Sequence, residues 1–151
     1  MTSRGRMDDE ELDALEVASA PPSIHDLVVE VSAFVHPTED ETAVGRSILN
    51  LFPGVTLERQ NGTLTGSVKG AVALVRLRRR LREMHIRDTA RAQLKAGTFE
   101  GSIRITLNKQ SAFARVPNFS MGGAPLGDID VTLRAGDLPS LIDWICELDK
   151  V

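Results

Sequence analysis

Five arginines fall within seven residues, Arg76, Arg78, Arg79, Arg80 and Arg82, and such a cluster suits the binding of a polyanion. A guanidinium fork bonds two oxygens of one phosphate at once, a geometry an ammonium lacks. The surrounding spacing predicts a helix. Leu74, Leu77, Leu81 and Met84 gather in one sector, Arg79 points directly away from it, and Arg76 and Arg82 flank Arg79 at about 60°. Arg78 and Arg80 lie nearer the rim. Glu83 is the one acid placed three or four residues away to relieve their repulsion. Two readings follow: a face that meets an anionic partner, or a solvated face that at most docks on acids of another protein. Val72, Val75 and Ile86 lie on the arginine side of the helix, which favours a partner surface there.

The wider charge pattern sharpens this. The chain of 151 residues carries a net charge of −3, so its total does not mark it as a polyanion binder. Yet residues 69–115 hold twelve bases and three acids, and every other stretch is acidic. Local field, rather than net charge, steers an anionic partner. Base stacking is weakly supported, because aromatics are 4% of the chain and Phe34, Phe52 and Trp144 fall in elements that predict core packing. Phosphate and shape readout of a folded RNA fits the composition better.

Elements must position these groups. Apolar residues at 42% and charged residues at 26% describe a soluble globular chain with a sizeable core and exclude fibrous or wholly disordered classes. No stretch approaches the roughly 20 apolar residues of a membrane helix. The start of the chain lacks an apolar signal region, and the one cysteine, Cys146, has no internal partner, so a reducing cytoplasm is expected. Residues 1–22, with Asp8-Asp9-Glu10-Glu11 ahead of Pro21-Pro22, read as an acidic disordered tail, and residues 23–151 as one domain. A strand is expected over 27–36. A helix capped by Thr38 with Glu41 follows, stopped by Pro53-Gly54, and then a hairpin turning at Asn61-Gly62. A long helical run from Gly70 to about Lys95 shifts its apolar face near His85, which predicts a break there. Strands over 102–107 and 128–134 flank a long loop at 108–126, and Asp137 caps a last helix. The order β-α-β-β-α-β-β-α predicts an α+β fold: a two-layer sandwich, mostly antiparallel or mixed sheet with helices on one face.

Other constellations are less specific. His36, Glu39 and Asp40 are explained by helix capping more cheaply than by a metal. Asp128 and Asp130 share a strand face, where a wet surface is commoner than acid–base work. Gly122-Gly123 lacks the Lys-Ser/Thr of a phosphate loop. Cys146 near Trp144 reads as a packed thiol. No catalytic group, metal or cofactor is expected.

Seven ordered segments carry a family resemblance: His36-Pro37-Thr38-Glu39-Asp40, residues 47–53, Ile86-Arg87-Asp88-Thr89-Ala90-Arg91, residues 107–113, Asn118-Phe119, residues 126–129 and Ile142-Asp143-Trp144. Together, over roughly residues 25–148, they resemble the archaeal family of small RNA-binding-domain proteins. That family has long been catalogued as an uncharacterised protein family, and is similar in fold to ribosomal protein L-five. It has also been catalogued as a predicted RNA-binding exosome subunit. The resemblance implies homodimers, RNA as partner, a place in an RNA-processing complex, and no known catalysis. The expected RNA-binding residues are Arg76, Arg79, Arg80, Arg82, Arg87, Arg91, Asn108, Lys109, Gln110 and Arg115. The alternative is an adaptor of an RNA-processing assembly whose basic helix meets an acidic protein.

Overall fold

The computed structural model describes residues 8–121 and 125–147. Six antiparallel strands form one sheet in the order β2-β3-β1-β6-β5-β4. They are β1 (Val28–Phe34), β2 (Thr56–Gln60), β3 (Thr63–Lys69), β4 (Thr98–Phe99), β5 (Ser102–Asn108) and β6 (Asp128–Arg134). The helices are α1 (Asp9–Ala18), α2 (Glu41–Leu51), α3 (Val75–Glu83), α4 (Arg87–Ala96), α5 (Lys109–Phe113) and α6 (Leu138–Ile145). Single 3₁₀ turns precede β1 and α3. This is the expected α+β two-layer sandwich, with an antiparallel sheet throughout.

Period-two alternation sets the two sheet faces. One inner row runs Leu57, Gly66, Val31, Val131, Ile105 across five strands. It packs with Ile103, Leu107, Ile129 and Leu133 against Ile48, Phe52, Leu77, Leu81, Leu94 and Leu141 of the helical layer. The opposite rows carry Glu30, Ser32, Thr65, Ser67, Asp130, Thr132 and Arg134, which line an open depression of about 630 Å³. A polar face needs no cover, so the helices occupy the apolar side alone.

Turn chemistry fixes the connections. Asn61 and Gly62 both have positive φ, 50° and 79°, as a two-residue hairpin turn requires. The long helical run breaks where expected. His85 adopts the left-handed conformation at φ 57°, with Ile86 N donating to Leu81 O and His85 N to Arg82 O. These two bonds form a Schellman stop, in which a non-glycine residue accepts the cost of left-handed φ to satisfy the last carbonyls of α3.

Four expectations change. The acidic segment expected to be disordered contains α1, capped by Asp8, whose carboxylate accepts from Glu11 N. An isolated helix of this length is marginal, but tertiary contacts supply the stability. The cap of α2 is Asp40, accepting from Thr42 N, rather than Thr38. The loop at 108–126 holds α5, and its return runs beside β5 through Asn108 N to Asn118 O and Ser120 N to Thr106 O. Phe34, expected in the core, is half exposed on the polar face, since its position in β1 has outward parity. Leu148, expected on the apolar face of α6, lies outside the described residues.

Gly97 shows how closely the residue between α4 and β4 lies against β5. A Cβ there would overlap the carbonyl oxygen of Arg104, whose own N–H donates to Gly97 O at 2.9 Å. Gly97→Ala is expected to cost about 1–3 kcal/mol, because the clash is with backbone and no side chain can move aside. Urea unfolding measures it. An unchanged midpoint would show that α4 and β5 separate freely.

Candidate nucleic-acid interface

The arginine helix is answered first from within the chain. Asp13 on α1 accepts from Arg79 at 2.8 Å and lies 3.7 Å from Arg76. Glu16, one turn further, accepts from Arg82 at 2.6 Å and contacts Arg78. Acids three residues apart on one helix thus meet arginines three residues apart on another. Val75 is buried and Val72 remains exposed, and α1 packs against α3 and the turn before it, on the arginine side.

Arg78, expected near the rim, is buried, with only 7% of its surface exposed. Its Nε donates to Trp144 O at 2.7 Å, its other nitrogens meet Glu16 and Glu147, and its guanidinium stacks 5.2 Å from the Trp144 ring centre. Burial lowers its pKa below the ordinary arginine value, against the opposing pull of Glu147. Trp144 Nε1 in turn donates to Ser19 Oγ at 2.9 Å, just past the end of α1.

The other expected residues divide by role. Arg87 Nη1 donates to Glu147 O at 2.5 Å, and Arg91 donates to Asp143 at 2.6 Å and to Cys146 O at 3.3 Å. Both therefore hold the C-terminal end of α6, where cations complement the helix dipole. The hydrogen bond to Asp143 raises the Arg91 pKa. Burial pushes the Cys146 thiol up to about 11, so it stays protonated and unreactive at neutral pH. Asn108 is a cap, accepting from Ser111 N at 2.7 Å.

Lys109, expected as a surface cation, is enclosed. Its ammonium donates to Phe34 O and Leu126 O, each at 2.7 Å, and to Glu39 Oε1 at 3.0 Å. Three acceptors saturate its three donors, and a buried charge must be answered in this way. This also accounts for Glu39, which accepts from His36 N as well. Only Gln110 of the Asn-Lys-Gln segment stands exposed.

What remains open to solvent is a basic cleft of about 440 Å³ lined by Arg76, Arg79, Arg80 and Arg115, with Asn50 and Leu12. Arg80 Nε donates to Arg115 O at 2.9 Å, fixing the floor, and Glu83 pairs with Arg80 at 3.0 Å on one side. An adjoining hollow of about 310 Å³ adds Arg46 and Phe113. Sequence reasoning missed Arg46, Asn50 and Phe113, because α2 and α5 join the arginine helix only in three dimensions. The signal for α1 was present in the acid spacing, Asp13 and Glu16, matching Arg76, Arg79 and Arg82.

An α+β sandwich with one polar sheet face and a basic cleft among its helices defines the class. A family model described as RNA binding matches residues 28–135. The chain is 40% identical over 126 residues to a UPF0201 protein of Thermococcus onnurineus, covering 81% of this chain and 93% of that protein. It is 38% identical to one of Pyrococcus abyssi, covering 81% and 91%. The crystal structure of a UPF0201 protein from Methanococcus jannaschii matches with a TM-score of 0.71 at 34% identity, covering 82% of this chain and 95% of that one. The chain belongs to this archaeal RNA-binding family. The matched residues begin after α1, so Asp13 and Glu16 lie outside them. Among the described residues no helix is long and apolar enough to cross a membrane.

Glu16→Gln is expected to destabilise the chain by about 3 kcal/mol, since it takes one of two carboxylates from the buried Arg78 and the acid from Arg82. The single tryptophan, Trp144, reports the undocking of α1 through a red-shifted emission and a lower urea midpoint. Identical emission and midpoint would remove Glu16 from this role.

Proposed function

We propose that this protein is a non-catalytic RNA-binding domain that meets phosphates in the cleft of Arg76, Arg79, Arg80 and Arg115. The observation that carries this reading is the convergence of four guanidinium groups on one open cleft in a chain of the RNA-binding family. Arginine forks there suit phosphate oxygens, and no sequence-specific contact is needed for affinity of this kind. A structured RNA is the favoured ligand because its closely spaced phosphates engage several arginines at once. Arg87 and Arg91 anchor the end of α6.

The intramolecular pairs tune the cleft. Asp13 holds Arg79 and Arg76, so part of the positive charge is answered before RNA arrives. RNA binding then exchanges a carboxylate for a phosphate at these two residues, and the carboxylate sets how tight the complex becomes. A protein partner with an acidic surface is the competing reading, and the same variants separate the two.

Fluorescence anisotropy of the full chain with a labelled RNA hairpin, repeated across a salt series, tests the reading. Arg76→Glu with Arg115→Glu is expected to weaken binding at least tenfold and to shrink the slope of log affinity on log salt by roughly 0.7–0.9 for each phosphate no longer engaged. Arg104→Glu, on the polar sheet face, changes it far less. Equal affinity of the Arg76/Arg115 variant and the wild type would sink the proposal and turn the search to acidic proteins.

Asp13→Asn is expected to move affinity the other way, tightening RNA binding several-fold. Unchanged or weaker binding would show that Asp13 does not compete with phosphate.

A further inference from the structure

We infer that Phe113, with Arg46 and Arg115, forms a subsite for one unpaired nucleotide of the bound RNA, the base stacked on the Phe113 ring and the adjoining phosphate on the two guanidinium groups. The inference rests on the RNA-binding reading above and narrows its ligand to RNA that offers an unstacked base.

Phe113 is 48% exposed at the end of α5. Phe34 and Phe99 are also exposed, but they belong to the sheet and line neither the basic cleft nor the hollow beside it. Phe113 instead shares a hollow of about 310 Å³ with Arg46, Asn50, Ala114 and Arg115. Asn50, Ala114 and Arg115 also line the basic cleft, so the two spaces are continuous along one wall. The guanidinium groups of Arg46 and Arg115 have no ion-pair partner among the described residues, unlike those of Arg76, Arg78, Arg79, Arg80 and Arg82. An aromatic face beside unanswered cations is the pairing that single-stranded nucleic acid uses, base on ring and phosphate on arginine.

The backbone that carries the ring is held from two helices. Asn50 Nδ2, on α2, donates to Ala112 O at 3.1 Å and to Phe113 O at 3.0 Å. Arg80 Nε, on α3, fixes Arg115 O at 2.9 Å. Arg115 itself sits at φ 64°, a left-handed conformation that costs energy in a non-glycine residue and persists only where neighbours enforce it. Backbone on both sides of the ring is therefore fixed before any ligand binds, which lowers the ordering cost of recognition. Phe113 also borders a second hollow, of about 200 Å³, lined by Glu39, Asp40, Val44, Lys109 and Gln110 among others. The exposed Gln110 amide carries both donors and an acceptor, so a base lying on the ring can present its polar edge to it.

The test compares two labelled RNAs on the full chain by anisotropy at one salt concentration: a blunt hairpin, and a hairpin with the same total number of phosphates carrying a single-stranded uridine overhang. Phe113→Ala is expected to lower affinity for the overhang RNA roughly tenfold, as removal of one stacked base does. It should leave the blunt hairpin unchanged, and Phe113→Trp should restore the affinity. An overhang with an abasic residue should bind wild type as weakly as the uridine overhang binds Phe113→Ala, with no further weakening in that variant. Equal affinity of Phe113→Ala and wild type for the overhang RNA, with wild-type binding intact, overturns the subsite alone. An equal weakening on both RNAs, or a change in sedimentation of Phe113→Ala, also overturns it by assigning the ring to folding or to an interface between copies. Failure of wild type to bind either RNA overturns the RNA-binding reading itself and the subsite with it.

Discussion

Arg78 holds the helical layer together. Its guanidinium lies under α1 and against α6, bonded to Glu16, Glu147 and the carbonyl of Trp144, with the indole face beside it. A buried guanidinium tolerates no missing partner, because the desolvation cost is met only when its donors are answered. That constraint draws three helices to one point. It places α1 over α3, sets Trp144 against Ser19, and leaves the remaining arginines of α3 facing outward in a fixed order.

The order matters for what the surface can do. Arg79 and Arg82 point toward α1 and are paired with Asp13 and Glu16, whereas Arg80 turns toward the end of α5 and Arg76 stays between. A charge run on a helix is thus divided among three tasks: cohesion by Arg78, an ion-pair seam by Arg79 and Arg82, and an open cleft shared by Arg76, Arg80 and Arg115 with the paired Arg79 on its wall. The seam answers part of the positive charge from within the chain, so on the RNA-binding reading proposed above the seating of α1 counts as well as the number of arginines.

The polar segment after β5 follows the same logic. Lys109 became an internal strut, joining β1, the turn before α2 and the return loop, and Asn108 became a cap. Their neighbours Gln110, Phe113 and Arg115 are the residues left at the surface. The short α5 is the device that sorts them: one turn buries Ala112 and Lys109 and exposes the others.

Much of the fold was legible from local chemistry. The alternation in β1, β5 and β6, the Asn61-Gly62 turn, the Asp137 cap and the break at His85 are each set by residues within a few positions of one another. So is the concentration of positive charge in residues 69–115 and the reading of an arginine-rich helix. What only the tertiary structure decided is which charges remain available. Asp13 and Arg79 are 66 residues apart, Lys109 and Glu39 are 70 apart, and Asn50 reaches Phe113 across 63. Whether an arginine is a cohesive, paired or open group depends on the distance to such partners and on the dielectric around it, and both come into being only when the helices pack.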